Sequence, residues 1–174
     1  RFQYKGKGGG VTVIDDYAHH PAEIAATLRT AKSYPHKTIW CVFQPHTYTR
    51  AKALMDEFAQ ALSLADKVVL ADIYAARETD TLGISSKDLQ EKISLLGTDA
   101  HYFSTFDEIE DFLLENCVPQ DLLITLGAGD VYKIGEHLLG LYELIYSAGI
   151  PDSKADIRNP LRYLLMNAVA LHSV

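Results

Sequence analysis

Five short apolar runs punctuate the chain, at Val11 to Ile14, Thr38 to Phe43, Lys67 to Ile73, Ala100 to Phe103 and Leu122 to Leu126. Between them lie longer stretches whose apolar residues recur every three or four positions, the spacing of an amphipathic helix. This repeated change of period constrains the fold more than any other feature. It predicts βαβ units, and so an α/β fold with a mainly parallel sheet and helices on both faces. A length of 174 residues fits one such domain.

The punctuation agrees. Pro21 suits a first helical position, because its missing N–H costs nothing there, and it opens a helix to about Tyr34. Ile24, Leu28 and Ala31 share the inner face of that helix, while Glu23, Arg29 and Lys32 stay in water, and Pro35 stops it. A second helix is expected from about Arg50 to Ala65 through Leu54, Phe58, Ala61 and Leu62. Ser86 is placed to cap a short helix carrying Leu89, Ile93 and Leu96, with Gly97 at its end. Asp107 to Asn116 forms another helix, and a last one starts near Asp130 and runs through Ile134, Leu138 and Ile145. Gly8-Gly9-Gly10 reads as a flexible linker into the domain. The division expected is a domain over 1–145 and a tail over 146–174, where Leu161, Leu164, Leu165 and Val169 are spaced for one added helix.

A net charge of −7 argues against nucleic acid, which needs a clustered basic excess. The two cysteines, Cys41 and Cys117, form no CxxC pair, which suits a reducing compartment. There is no apolar run of about 18 residues and no signal-peptide core, so no membrane partner is expected and a cytoplasmic location is. The opening on Arg1 rather than Met suggests a piece of a longer polypeptide.

In open α/β sheets ligands bind beyond the carboxyl ends of the strands. There the chain carries Asp15-Asp16-Tyr17-Ala18-His19-His20, Gln44-Pro45-His46-Thr47-Tyr48-Thr49-Arg50, then Asp72, Tyr74, Arg77 and Glu78, and finally Gly127-Ala128-Gly129-Asp130. Each has a plain structural reading. Asp15 and Asp16 suit a turn, His19 and His20 a solvated loop, and Tyr17, Tyr48 and Tyr74 rim packing. Gly127 and Gly129 suit a tight turn and Asp130 an N-cap. Arg50 fits less well, because a cation at a helix start opposes the macrodipole, and an anionic ligand would resolve the conflict. The histidine pair lacks HExxH spacing, so no metal is expected. GAGDVY lacks the third glycine of a dinucleotide fingerprint and no GxxxxGK[ST] occurs, so nothing here cradles a triphosphate unaided.

Taken together, DDYAHHPAEI at 15–24, VFQPHTYTR at 42–50, ADIYAARE at 71–78 and ITLGAGDV at 124–131 closely resemble the C-terminal domain of the Mur ligases over about residues 1–140. The branch that joins L-alanine to UDP-N-acetylmuramate is the most similar. The resemblance implies a Rossmann-like domain, the third of three in a cytoplasmic enzyme of peptidoglycan synthesis, whose missing N-terminal domain holds the nucleotide sugar and whose central domain is a P-loop ATPase. It implies ATP and Mg in the full enzyme, none bound tightly by this fragment alone, and no activity of the fragment alone. ATP converts the muramoyl carboxylate to an acyl phosphate, and the amine of L-alanine displaces phosphate. By the same resemblance His46, Arg50 and His19 are the catalytic candidates, and Tyr17, Asp16 and Tyr48 the substrate-binding ones. Gly127, Gly129 and Asp130 are the nucleotide-side candidates. Thr47 stands where some family members have a second arginine, which implies a thinner anion clamp or one completed from another domain.

Two other readings compete. The Asp15-Asp16 pair at a strand end also suits a phosphoacceptor receiver module, although such a module needs a lysine where Gly127-Ala128-Gly129 stands. The same loops would also serve a module that binds an anion without chemistry.

Overall fold

Ile39–Phe43 and Leu122–Leu126 are buried at every residue, as strands covered on both faces must be. They are the centre of a six-stranded sheet. In a computed structural model that describes residues 2–79 and 82–147, the strands are β1 (Gln3–Gly8), β2 (Val11–Asp16), β3 (Ile39–Phe43), β4 (Lys67–Leu70), β5 (Asp99–Tyr102) and β6 (Leu122–Leu126). The helices are α1 (Pro21–Ala31), α2 (Tyr48–Ala53), α3 (Met55–Leu62), α4 (Ser86–Leu95), α5 (Phe106–Asn116) and α6 (Tyr132–Ser147). The strand order is β1-β2-β6-β3-β4-β5. All neighbours are parallel except β1 and β2.

Alternate strand residues feed two cores, since successive side chains point to opposite faces. On one face Ile14, Cys41, Phe43, Leu70 and Ile124 pack under Ile24, Leu28, Phe58, Leu62, Leu89 and Ile93 of α1, α3 and α4. On the other, Val13, Trp40, Val42, Val69 and Leu123 meet Ile109, Leu113, Ile134 and Leu138 of α5 and α6. The buried Trp40 Nε1–H donates to Asp121 Oδ2 at 3.0 Å, which satisfies the one polar atom of the ring, and Lys67 Nζ lies over its face 4.8 Å from the centroid. Both cysteines are free and buried. The five parallel strands β2 to β6 and the helical layers on both faces are those the sequence predicts.

Several local expectations change. Gly8-Gly9-Gly10 is no linker: Gly8 pairs with Val11 across a two-residue turn in which Gly9 and Gly10 have φ of +54° and +78°. A turn with both central residues at positive φ fits the twist of a hairpin. The missing side chains also make room, because a Cβ on Gly8 or Gly9 would lie within 2.7 Å of the Tyr142 ring. Strand β1, which the apolar pattern does not mark, therefore packs against α6.

The helix expected over 50–65 starts at Tyr48 and breaks at Leu54, where φ is −120° and ψ 24°. Spacing gives no sign of this break, since Ala51 and Phe58 are two turns apart and both buried. Strand β4 ends at Leu70 rather than Ile73. The cap of α4 is Ser85, whose Oγ accepts from Lys87 N, while Ser86 is buried and donates to the Ala71 carbonyl at 2.6 Å. Helix α6 starts at Tyr132, so Asp130 is not its N-cap, and Asp130 instead takes an ion pair from Lys133 at 2.9 Å. The expected extra helix around Leu161 to Val169 lies outside the described residues.

Gly10 gives the sharpest test of the hairpin. A Cβ there would lie 2.7 Å from Pro119 Cβ and 2.9 Å from its Cα, at a φ that L residues rarely adopt. Gly10→Ala should lower stability by about 1–3 kcal/mol, from strain plus overpacking against backbone. Urea unfolding of the two proteins measures it, and a difference below a few tenths of a kcal/mol would discount the turn.

Candidate active site

The parallel ladders bring the carboxyl ends of β2, β6, β3 and β4 side by side. Beyond the named strands the pairing continues bond by bond, with Gly127 N–H donating to Asp16 O, Gln44 N–H to Leu126 O, Ala71 N–H to Phe43 O and Tyr74 N–H to Pro45 O. The four polar segments are thus held to the sheet by backbone before any side chain acts.

After β2, Asp16 is only 7% exposed, and its two oxygens accept from Ala18 N at 2.9 Å and Thr27 Oγ1 at 3.0 Å. Its carboxylate shapes the turn that lifts Tyr17 and His19 to the surface. Asp15 points to the other face, as alternation requires, and accepts from Thr125 Oγ1 at 2.7 Å. Burial pushes its carboxyl above the usual range, against the pull of the Thr125 hydroxyl. The two acids therefore do not converge, which removes the basis for a receiver-like acidic pair. Asp72, the other acid such a module would use, holds the Tyr102 hydroxyl, and that bond pushes the phenol up to about 12.

Glu23, expected to be an idle outer-face residue, reaches back to accept from the backbone N–H of His19 and of His20, both at 3.2 Å. Those bonds hold its carboxyl below the usual range. The His19 ring is fixed by Nδ1, 3.0 Å from the Tyr17 carbonyl, and meets the exposed Tyr17 ring edge-on at 5.3 Å. A carbonyl only accepts, so in this contact Nδ1 is the donor and Nε2 is the ring nitrogen left for a ligand.

After β3, His46 comes within 6.2 Å of His19 between ring centroids and stacks on Tyr74 at 5.3 Å and 14°. Its Nδ1 is buried without a hydrogen-bond partner, so Nε2 is the nitrogen left to meet a ligand. Arg50 folds back along its helix, and Nη1 donates to the His46 carbonyl at 3.0 Å. Tyr48 is half-buried at the first position of α2. The structure thus gathers Tyr17, His19, His46 and Arg50 on one edge, with Asp16 beneath them.

Gly127 and Gly129 close against the same cluster. Gly127 has φ of +150°, and a Cβ there would lie 3.1 Å from the Gln44 carbonyl oxygen. A Cβ on Gly129 would lie 2.6 Å from Gln44 Oε1 and 3.3 Å from the Tyr74 ring. Close packing alone accounts for both glycines. Gln44 itself is 8% exposed and donates from Nε2 to the Asp72 carbonyl at 3.3 Å, so it ties the β3 and β4 ends together.

Three residues that sequence reasoning did not select matter here: Gln44, Tyr74 and Glu78. Glu78 accepts from Thr47 Oγ1 at 2.6 Å, Thr49 Oγ1 at 2.5 Å and Thr49 N at 3.0 Å. The Thr47 and Thr49 hydroxyls, followed by the backbone N–H, hold its carboxyl down at about 2. Between Tyr74 and Glu78 the chain turns at Ala76, whose φ of +54° costs an L residue about 1–2 kcal/mol. Position just past a strand end was the available signal for all three residues. The bonds of Glu78 depend on a turn that spacing does not disclose.

Hollows of about 330 Å³ beside Asp16, Tyr17 and Thr27, and of about 500 Å³ beside Lys7, Tyr34 and His36, both exclude His46 and Arg50. Among the described residues no group of three or more His, Cys, Asp or Glu side chains is placed to hold a metal ion, and no helix is long and apolar enough to cross a membrane.

Residues 1–129 match the family model described as Mur ligase, glutamate ligase domain. The chain belongs to the Mur ligase family. UDP-N-acetylmuramate–L-alanine ligase of Lachnospira eligens is 67% identical over 139 residues, which are 80% of this chain and 30% of that protein. The enzyme of the same name from Agathobacter rectalis is 64% identical over the same shares. The crystal structure of UDP-N-acetylmuramate–alanine ligase from Thermotoga maritima superposes with a TM-score of 0.67 at 29% identity, over 83% of this chain and 30% of that one. The chain spans about 30% of the length of the curated relatives it matches. What is described here is thus one Mur ligase domain.

Glu78 makes an acid-stability prediction for this domain. Its folded carboxyl titrates below the ordinary value of 4.5, so its bonds stabilise the fold above about 4.5, and that contribution is lost as pH falls through about 2. The Tm difference between wild type and Glu78→Gln should be largest near pH 6 and should close between pH 4.5 and 2. A gap that widens on acidification would contradict the assignment.

Proposed function

We propose that this domain supplies one wall of the active site of a UDP-N-acetylmuramate–L-alanine ligase in the cytoplasm, and that it acts on the acyl-phosphate step. The observation that carries the reading is the cluster itself: two imidazoles 6.2 Å apart and a guanidinium anchored on the carbonyl of one of them. Support comes from the family and from relatives that bear this enzyme's name at up to 67% identity.

In the proposed reaction ATP phosphorylates the muramoyl carboxylate. The neutral amine of L-alanine then attacks the acyl carbon, a tetrahedral oxyanion forms and collapses, phosphate leaves, and the amine nitrogen loses a proton. The nucleotide and its Mg would be held by the central ATPase domain, since no described cluster here fits a metal. The nucleotide sugar would be held by the N-terminal one.

The side chains of this chain would divide the remaining work. With Nδ1–H committed to the Tyr17 carbonyl, His19 offers Nε2 as an acceptor for an amine hydrogen. The Nδ1 of His46 is buried without a partner, so Nε2 is the nitrogen that would face the substrate, with its hydrogen toward the reaction. That is a donor for an oxyanion. One guanidinium nitrogen of Arg50 is used by the His46 carbonyl, and the rest of the fork is free to take phosphoryl or carboxylate oxygens. Tyr17 and Tyr48 would line the amino-acid side, and Asp16 would hold the turn that carries Tyr17 and His19. For Gly127, Gly129 and Asp130 the reading is that they close the edge facing the nucleotide.

The test is Arg50→Ala in the complete ligase. Removing one preorganised donor to a developing anion should lower turnover about 100- to 1000-fold, with little change in Tm. Lysine should restore only part, because it keeps the charge and loses the planar fork. Glu57→Ala, on the exposed side of α3, is the control. Near-normal turnover of Arg50→Ala at saturating alanine and ATP would sink the reading in favour of an anion-binding module. A second measurement is independent of the variants: the isolated domain, with neither the P-loop nor the nucleotide-sugar site, should release no phosphate from ATP above a protein-free control.

A further inference from the structure

We propose that Glu78 is a positioning residue for this reaction: it locks the turn from His46 to Arg50 so that both side chains are presented together at the carboxyl edge. The inference rests on the ligase reading of that edge.

The argument begins with how the other helices start. Glu23, Asp88 and Glu108 each sit at the third position of their own helix and reach back to backbone N–H groups at its start, the local capping box. Helix α2 has a threonine, Thr47, at its N-cap, as a capping box requires, but its third position is Arg50. A cation there can neither accept those N–H bonds nor complement the dipole. The missing carboxylate arrives from elsewhere in the chain. Glu78, 29 residues after Thr49, accepts from Thr49 N and from the hydroxyls of Thr47 and Thr49. The imported cap leaves the third position of α2 open to the guanidinium that the proposed chemistry needs.

The placement of the bonds is as telling as their number. Thr47 directly follows His46, and Thr49 directly precedes Arg50, so the carboxylate grips the neighbour of each site residue and touches neither. The same loop also supplies Tyr74, whose ring stacks on His46 and whose N–H donates to the Pro45 carbonyl at 2.8 Å. Residues 74–78 thus hold residues 45–49 along their length. The positive φ of Ala76 is the bend that returns Glu78 to that turn. Thr47 is a bonded part of this brace.

The test uses the complete ligase, with kcat and KM for L-alanine measured at saturating ATP and UDP-N-acetylmuramate. Misplacement of a reacting group by about 1 Å costs about 100-fold, so Glu78→Ala should lower kcat/KM by about 10- to 100-fold, and Thr49→Val by less. A cap with no role in positioning would cost the same factor whether or not Arg50 is present. Positioning predicts otherwise: in an Arg50→Ala background, Glu78→Ala should cost a clearly smaller factor, because only His46 is left to be misplaced. Equal factors in the two backgrounds overturn the inference, as does an unimpaired Glu78→Ala beside an impaired Arg50→Ala. A near-normal Arg50→Ala enzyme overturns the ligase reading, and this inference with it. If Glu78→Ala does not yield folded protein, Thr49→Val in the two backgrounds carries the same comparison.

Discussion

The carboxyl edge depends on the ladder by which β6 inserts between β2 and β3. Leu122–Leu126 pairs in parallel with Thr12–Asp16 on one side and with Ile39–Phe43 on the other, and none of its residues is exposed. Side chains this apolar have no stable place except between two covered strands, at roughly 1.5–3 kcal/mol for each large one removed from water. Because β6 is the last of the described strands, its insertion decides which loops meet. It sets the β2 end beside Gly127 and the β3 end beside both, so that His19 and His46, 27 residues apart in sequence, lie ring to ring.

Much of this was legible in the sequence because the core is built from period alone. Short strands with apolar runs, such as those at residues 11–14, 39–43 and 122–124, and helices with apolar residues at three and four, can be read without knowing their partners. The misreadings fall where packing overrides local pattern. In β1, Tyr4 is exposed and four of the six positions are glycine or lysine, so the strand carries no apolar run, and its reason to exist is the Tyr142 ring of a helix more than 130 residues away. The break at Leu54 leaves the apolar stripe in phase and so leaves no trace in it. The edge residues His19, His46 and Arg50 were legible through motif and position. Gln44, Tyr74 and Glu78 were not, because their importance lies in what they hold.

Carboxylates that collect backbone N–H groups recur through the molecule, and comparing them separates structure from preparation for chemistry. Glu23, Asp88 and Glu108 serve their own helices over three or four residues, and each such cap is worth about 1 kcal/mol. Asp16 serves a turn, with Thr27 fixing its second oxygen. Glu78 reaches across about thirty residues, as Asp66 does in accepting from Ile39 N, but Glu78 does so where the local helix position is occupied by a cation. A fold seeking only stability would place glutamate at position 50 and leave residue 78 free. The exchange makes sense where an arginine is wanted at that point on the edge.

The same logic bears on how the charge of a ligand would be met. With Thr47 bonded to Glu78, this chain offers Arg50 as the only cation that its described residues anchor in the 46–50 turn, beside the imidazoles of His19 and His46. An acyl phosphate carries more negative charge than one guanidinium neutralises. On the ligase reading, the balance must come from the opposing wall, where the ATPase domain would bring its metal and phosphate-binding groups. Such a division makes the edge incomplete by itself and complete on closure, so that the groups for an attacking amine and those for a transferred phosphoryl meet only when both substrates are bound.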